Sequence, residues 1–137
     1  NYLAYANSLW IFMDLKRQRP TKVTEDMLKG YVMESRIDMD YAPRKIGIPL
    51  DCQVGEAFPV RKYHIDTNNH VNNGQYIQMA KEFIPEGFEI RQMRAEYKKA
   101  AVYGNTITPR LHHTENLYTI ALCDEEGQAY AIVEFCN

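Results

Sequence analysis

Residues 63–76 read YHIDTNNHVNNGQY, and the reading of this stretch decides the fold. Asp66 to Asn73 is dense in side chains that hydrogen-bond their own backbone, which favours turns and helix caps. Directly after it, Tyr76, Ile77, Ala80, Phe83 and Ile84 fall at helical spacing and draw one apolar stripe. The spacing predicts a helix over 74–84, with Asn72 or Asn73 as N-cap and Pro85-Glu86-Gly87 as its stop. A helix with one apolar stripe needs a partner surface, and the flanking sequence supplies strands.

Downstream, four strands are expected. Residues 88–102 form a long one whose alternation changes phase midway, which predicts a bulge or strong bend. Residues 106–113 follow the turn Tyr103-Gly104-Asn105. Residues 117–123 and 128–136 flank the hairpin loop Asp124-Glu125-Glu126-Gly127. Upstream, residues 57–65 read as a strand that begins at an edge because of Pro59. The sum is an α+β unit in which one helix is wrapped by a curved antiparallel sheet, the strands of which run as a meander.

Before that unit the pattern dissolves. Residues 34–55 hold Pro43, Gly47, Pro49 and Gly55 with no sustained period, and they read as an interdomain connection. Residues 2–14 (YLAYANSLWIFMD) are apolar on both faces, as in a strand buried on both sides, although periodicity alone also allows a helix. A hairpin through Lys16 to Arg19 leads to Val23, with Pro20 expected to stop ladder pairing, and Thr24-Glu25-Asp26 opens a helix. The expected organisation is therefore 1–33, a linker 34–55, and a second domain 56–137. The chain opens on Asn1 inside a patterned segment, which reads as part of something longer.

Composition narrows the function. The chain of 137 residues is 45% hydrophobic and 25% charged, enough to bury a core. Its 16 basic and 18 acidic residues leave a net charge of −2, which offers no bulk attraction for nucleic acid. The apolar run before Asp14 is too short and too polar for a membrane span. Cys52, Cys123 and Cys136 form no CxxC pair, so neither a zinc site nor a redox motif is signalled, and free thiols suit a reducing, cytoplasmic setting. No metal or organic cofactor is expected.

The chemistry-bearing group is Asp66, Asn68 and His70, a carboxylate, an amide and an imidazole just before a helix. Helix-start N–H groups carry partial positive charge and can hold a carbonyl oxygen as it becomes an oxyanion; here Asn73, Gly74 and Gln75 would supply them. An imidazole exchanges protons near neutral pH. The same residue types also serve as plain caps and turn formers. His112 and His113 are adjacent on a strand, so they face opposite ways and cannot chelate one metal. His64 reads as packing, and Lys98 and Lys99 with Arg91 and Arg94 as a solvated strand face.

DTNNHVNNGQYI followed by Glu96-Tyr97-Lys98-Lys99 resembles the acyl-acyl carrier protein thioesterases of plants and bacteria. Their pattern D-x-N-x-H-V-N-N-x-x-Y-I opens the central helix of a hot-dog fold. Asp66, Asn68, His70, Val71, Asn72, Asn73, Tyr76 and Ile77 fall in register with it. Residues 8–20 (SLWIFMDLKRQRP) resemble the late strands of that family's first hot-dog repeat, and Arg44-Lys45-Ile46 would lie in its linker. The resemblance implies Asp66, Asn68 and His70 as the catalytic group. It also exposes a departure: Ala100 and Ala101 stand where plant members carry Glu and Cys. Glu96 would replace that carboxylate only through a bend that turned it inward.

The resemblance implies a bacterial enzyme of fatty acid biosynthesis that hydrolyses fatty acyl-acyl carrier protein by attack of water. Asp66 would act as base or as the carboxylate that orients His70, His70 as the proton-transfer group, and Asn68 as the holder of water. The acyl chain would lie along Tyr76, Met79, Ala80 and Phe83. The alternatives are a non-catalytic acyl-binding or assembly module, an acyl-CoA thioesterase, and, behind these, a dehydratase. A homodimer, or pairing with a first repeat, would cover the sheet edges.

Overall fold

The computed structural model describes residues 3–137, which divide into two compact units between Arg44 and Lys45. In the first unit, β1 (Met13–Asp14) and β2 (Arg19–Pro20) form a two-residue antiparallel hairpin, and α1 (Glu25–Leu28) is a single turn after Thr24. Pro20 stands opposite Met13 in that ladder, against expectation: proline lacks only the donor and can still occupy an edge position. The strand expected over 2–14 survives only as β1. Leu3, Leu9, Trp10 and Ile11 are exposed, because burial on both faces requires layers on both sides and the described residues provide none there. Tyr2, counted in that strand, lies outside the described residues.

The second unit is a sheet with one helix packed on it. Its elements are β3 (Gln53–Val54), β4 (Phe58–Pro59), a 3₁₀ turn (Lys62–His64), α2 (Asn73–Lys81), β5 (Gln92–Tyr97), β6 (Thr106–His113), β7 (Leu117–Cys123) and β8 (Ala129–Cys136). The order across the sheet is β3-β6-β7-β8-β5, with β4 also on β6, and all pairs are antiparallel. The β6–β7–β8 part is the expected meander. β5 departs from it, pairing with β8 at the far edge rather than with β6. The cause lies in residues 98–105, which leave the sheet and pass over the start of α2 before β6 begins on the other side.

Strand limits also differ from the pattern reading. The strand expected over 57–65 is only Phe58–Pro59, since the chain turns into 3₁₀ geometry at Lys62. The one expected over 88–102 is Gln92–Tyr97 in unbroken register, so no bulge lies at its middle. The irregularities sit at its end, where Lys98 and Lys99 N–H both donate to the Tyr130 carbonyl, and between Leu122 and Cys123. The helix stops at Lys81 rather than 84. Residues 45–54 join the second unit, although the aperiodic stretch reads as linker to 55. Ile46 is buried with Ala121, Cys123, Ala129 and Ile132, and its N–H donates to Glu96 Oε2 at 2.8 Å.

The core lies between α2 and the other face of the sheet. Tyr76, Met79 and Ala80 pack with Ile120, Leu122, Ala131, Val133 and Phe135, and Phe83 is partly buried against them. Phe135 is the largest side chain in the group with essentially no exposed surface. Replacing Phe135 by Ala should cost about 3–5 kcal/mol, read as a lower urea midpoint with unchanged slope.

Candidate active site

Ile65 and Val71 bridge to each other, so residues 66–70 form a tight loop immediately before the helix. Asp66 organises it. Its Oδ1 accepts the N–H of Asn68 at 2.8 Å and of His70 at 3.4 Å, and its own N–H donates to the His70 carbonyl at 2.8 Å. Asn69 takes the left-handed conformation at φ 61°, which asparagine tolerates better than most residues. The loop is thus closed by its own residue types, and the second oxygen of Asp66 accepts from no group among the described residues.

Asn72 caps the helix: its side chain accepts the Gly74 N–H at 2.9 Å, and its carbonyl accepts the Gln75 N–H at 2.9 Å. The Gly74 and Gln75 N–H groups, expected at an oxyanion site, are thus both engaged by Asn72. The Asn73 N–H alone of the three has no partner among the described residues.

The other wall comes from the chain after β5. Ala101 donates its N–H to the Tyr76 hydroxyl at 2.8 Å and accepts the Val71 N–H at 2.9 Å. Tyr97 donates to the Asn73 carbonyl at 3.1 Å. Between the walls lies a cavity of about 440 Å³ lined by Asp66, Asn68, His70, Asn73, Tyr76, Tyr97, Lys98, Lys99 and Ala100, among others. Asp66, Asn68 and His70 share this cavity, with His70 exposed and its ring free of protein hydrogen bonds among the described residues. Asp66 therefore does not orient the imidazole by direct contact. Of the residues expected along the acyl chain, Tyr76 reaches the cavity, whereas Met79, Ala80 and Phe83 are core.

A model of the acyl-ACP thioesterase C-terminal domain matches residues 49–135. The chain belongs to the acyl-ACP thioesterase family. An acyl-ACP thioesterase from Bacteroides thetaiotaomicron superposes with a TM-score of 0.78 at 16% identity, over 90% of this chain and 52% of that one. A Lactobacillus plantarum protein described as an oleoyl thioesterase gives 0.66 at 18% identity, over 92% and 52%. A Staphylococcus aureus protein solved in complex with CoA gives 0.53 at 16% identity, over 62% and 73%. No curated protein matches. The fold is the hot-dog, and the chain spans about half the length of the first two solved relatives.

Within this acyl-ACP thioesterase domain, several charged residues have structural duties that strand parity alone did not assign. Glu96 faces the sheet side away from α2, where it holds Ile46, and does not reach the cavity. Lys98 and Lys99 are exposed, as a solvated face requires, and also line the cavity, while Arg94 pairs with Glu134 at 2.6 Å and Arg91 with Glu89 at 3.2 Å. The Lys98 and Lys99 N–H groups share the Tyr130 carbonyl, which ends the regular ladder of β5. His64 is buried, accepts the Arg61 N–H at 2.9 Å on Nδ1, and burial lowers its pKa. His112 contacts Asp51 at 3.1 Å, and His113 stacks on Tyr118. Among the described residues no group of three or more His, Cys, Asp or Glu is placed to hold a metal, and no helix is long and apolar enough to cross a membrane. Burial raises the Cys52 and Cys123 thiols, keeping them protonated near neutral pH.

Lys99 pairs with Asp124, whose Oδ1 also accepts the Glu126 and Gln128 N–H groups at 3.0 and 2.8 Å. The Lys99 hydrogen bond holds Asp124 below the usual carboxylate value, and Asp124 raises Lys99 in turn. A lowered carboxylate stabilises the fold above its unfolded value, near 3.9, and loses that contribution as pH falls through the lowered value. A raised lysine contributes below its unfolded value, near 10.4, and loses that as pH rises through the raised value. Asp124→Asn should therefore melt at a lower temperature than the parent near neutral pH, with the difference closing in acid. Tyr76→Phe orphans the buried Ala101 N–H and should cost about 1–3 kcal/mol in urea unfolding.

Proposed function

We propose that this chain is a thioesterase that releases free fatty acid from acyl-acyl carrier protein by attack of water on the thioester. The carrying observation is the cavity at the start of α2, lined by Asp66, Asn68, His70 and Asn73, in which one Asp66 oxygen and the Asn73 N–H have no partner among the described residues. Asp66 draws a proton from the attacking water, and Asn68 holds that water. His70 returns a proton to the departing thiolate, and the Asn73 N–H, at the positive end of the helix, stabilises the oxyanion. The acyl chain enters beside Tyr76 and Tyr97. Substrate is cytoplasmic carrier protein. The acyl-CoA alternative is favoured by the fold neighbour solved with CoA.

A second reading has its own observation. Ala100 is exposed at the cavity and Ala101 is fully buried, so neither supplies the carboxylate or thiol that the family resemblance places there. A domain that binds acyl groups without turnover would look the same at these two positions. Hydrolysis of a panel of acyl-carrier protein and acyl-CoA thioesters separates the two. Asp66→Ala should abolish turnover, and His70→Ala should reduce kcat about 10²- to 10⁴-fold. Tight acyl binding with no release would select the binding module instead.

β5 has a strand neighbour on one side only among the described residues. Such an edge pairs with a second copy, giving a two-fold dimer. Light scattering at micromolar concentration should report that dimer, and a concentration-independent monomer would refute it.

A further inference from the structure

We propose that Tyr76 is a catalytic residue of this site, its phenol O–H donating to the thioester carbonyl oxygen as a second oxyanion donor beside the Asn73 N–H. The inference rests on the hydrolase reading above and gives Tyr76, expected only along the acyl chain, a part in the chemistry. The need for such a donor comes from the helix. The Gly74 and Gln75 N–H groups are engaged by Asn72, so of the three expected amides only that of Asn73 has no partner among the described residues. Oxyanion sites commonly combine donors, and a tyrosine hydroxyl serves as well as an amide when it is fixed in place.

The Tyr76 hydroxyl is placed from two directions. A helical side chain leans toward the N-terminus, and positions three apart share a face, so Tyr76 lies over the turn that begins at Asn73. Its ring packs in the core, with 2% of the residue exposed, while its oxygen accepts the Ala101 N–H at 2.8 Å. That N–H follows Ala100, and the Ala101 carbonyl takes the Val71 N–H at 2.9 Å. Val71, Asn73, Tyr76 and Ala100 all line the cavity, which puts the hydroxyl on its inner wall at the helix start. Because the Ala101 N–H is donated to the phenol oxygen, the phenol proton must be given elsewhere, and no acceptor among the described residues takes it. The neighbouring Tyr97 has spent its own proton on the Asn73 carbonyl. An N–H donated to a hydroxyl polarises it and strengthens the bond it donates in turn. Burial raises the Tyr76 pKa, only partly offset by the Ala101 hydrogen bond, so the phenol keeps its proton near neutral pH.

The test reads the carbonyl directly. The probe is an acyl-pantetheine in which methylene replaces the thioester sulfur, a ketone that cannot be hydrolysed, labelled with ¹³C at the carbonyl. Bound to the parental chain, its infrared C=O stretch should fall below its value in water, and Tyr76→Phe should reverse most of that shift. A parental stretch no lower than in water, or a shift unchanged in Tyr76→Phe, overturns the inference. Because Tyr76→Phe also orphans the Ala101 N–H, Tyr76→3-fluorotyrosine is the second variant. It keeps the ring and both hydrogen bonds but donates more strongly, so the stretch should fall further, and an unchanged stretch overturns the inference. In turnover, folded Tyr76→Phe should lose about 10²- to 10³-fold in kcat with KM little changed, the pattern of a contact made to developing charge. A loss confined to KM would make Tyr76 a wall of the acyl site and overturn the assignment. If no thioester is turned over while the carbonyl shift depends on Tyr76, the hydrolase reading fails and the donor stands.

Discussion

Both backbone polar groups of Ala101 are spent on the helix start, and the site depends on that. The N–H reaches the Tyr76 hydroxyl and the carbonyl takes the Val71 N–H, so one residue joins the crossover, the loop and the helix. With no side chain beyond Cβ and no exposed surface, Ala101 lets the crossover lie close against α2. A glutamate or cysteine there would need space now filled by core. The alanine at 101 is thus a packing decision as much as a chemical one.

The electrostatic layout follows the same economy of contacts. Glu96, Arg94 and Glu134 act on the face of the sheet away from α2, where they hold the segment around Lys45 and Ile46. Asp124 stiffens the last hairpin through two backbone amides and Lys99. Asp66, Lys98 and Lys99 stand around the cavity. A carboxylate at Asp66 with one oxygen bound by its own loop is fixed in direction, while its second oxygen has no partner among the described residues.

What could be read from the sequence was whatever is decided locally. The turn chemistry of DTNNHVNN, the Asn72 cap and the helical stripe all depend on neighbours within a few positions, and they were legible. So were β6, β7 and β8, joined by short turns. The partner of β5 was not, because its choice of β8 over β6 depends on the path of residues 98–105 across the helix, which no periodicity records. The same path brings Lys98 and Lys99, exposed as a solvated face is, to the cavity as well. Occupancy of the Gly74 and Gln75 amides was equally hidden, since an asparagine cap and an open anion site share one sequence signature. Residues 3–12 failed for the opposite reason: their apolar composition describes a demand for burial, not its fulfilment.

The displaced position of β5 also bears on how the molecule assembles. β6, β7 and β8 meet through short turns and can form early, because little chain entropy is lost in closing them. β5 must find a strand far along the chain, and only then is the crossover drawn over the helix to place Ala101, Lys98 and Lys99. Release of β5 would dismantle the wall of the cavity while leaving the three-stranded meander its own pairings.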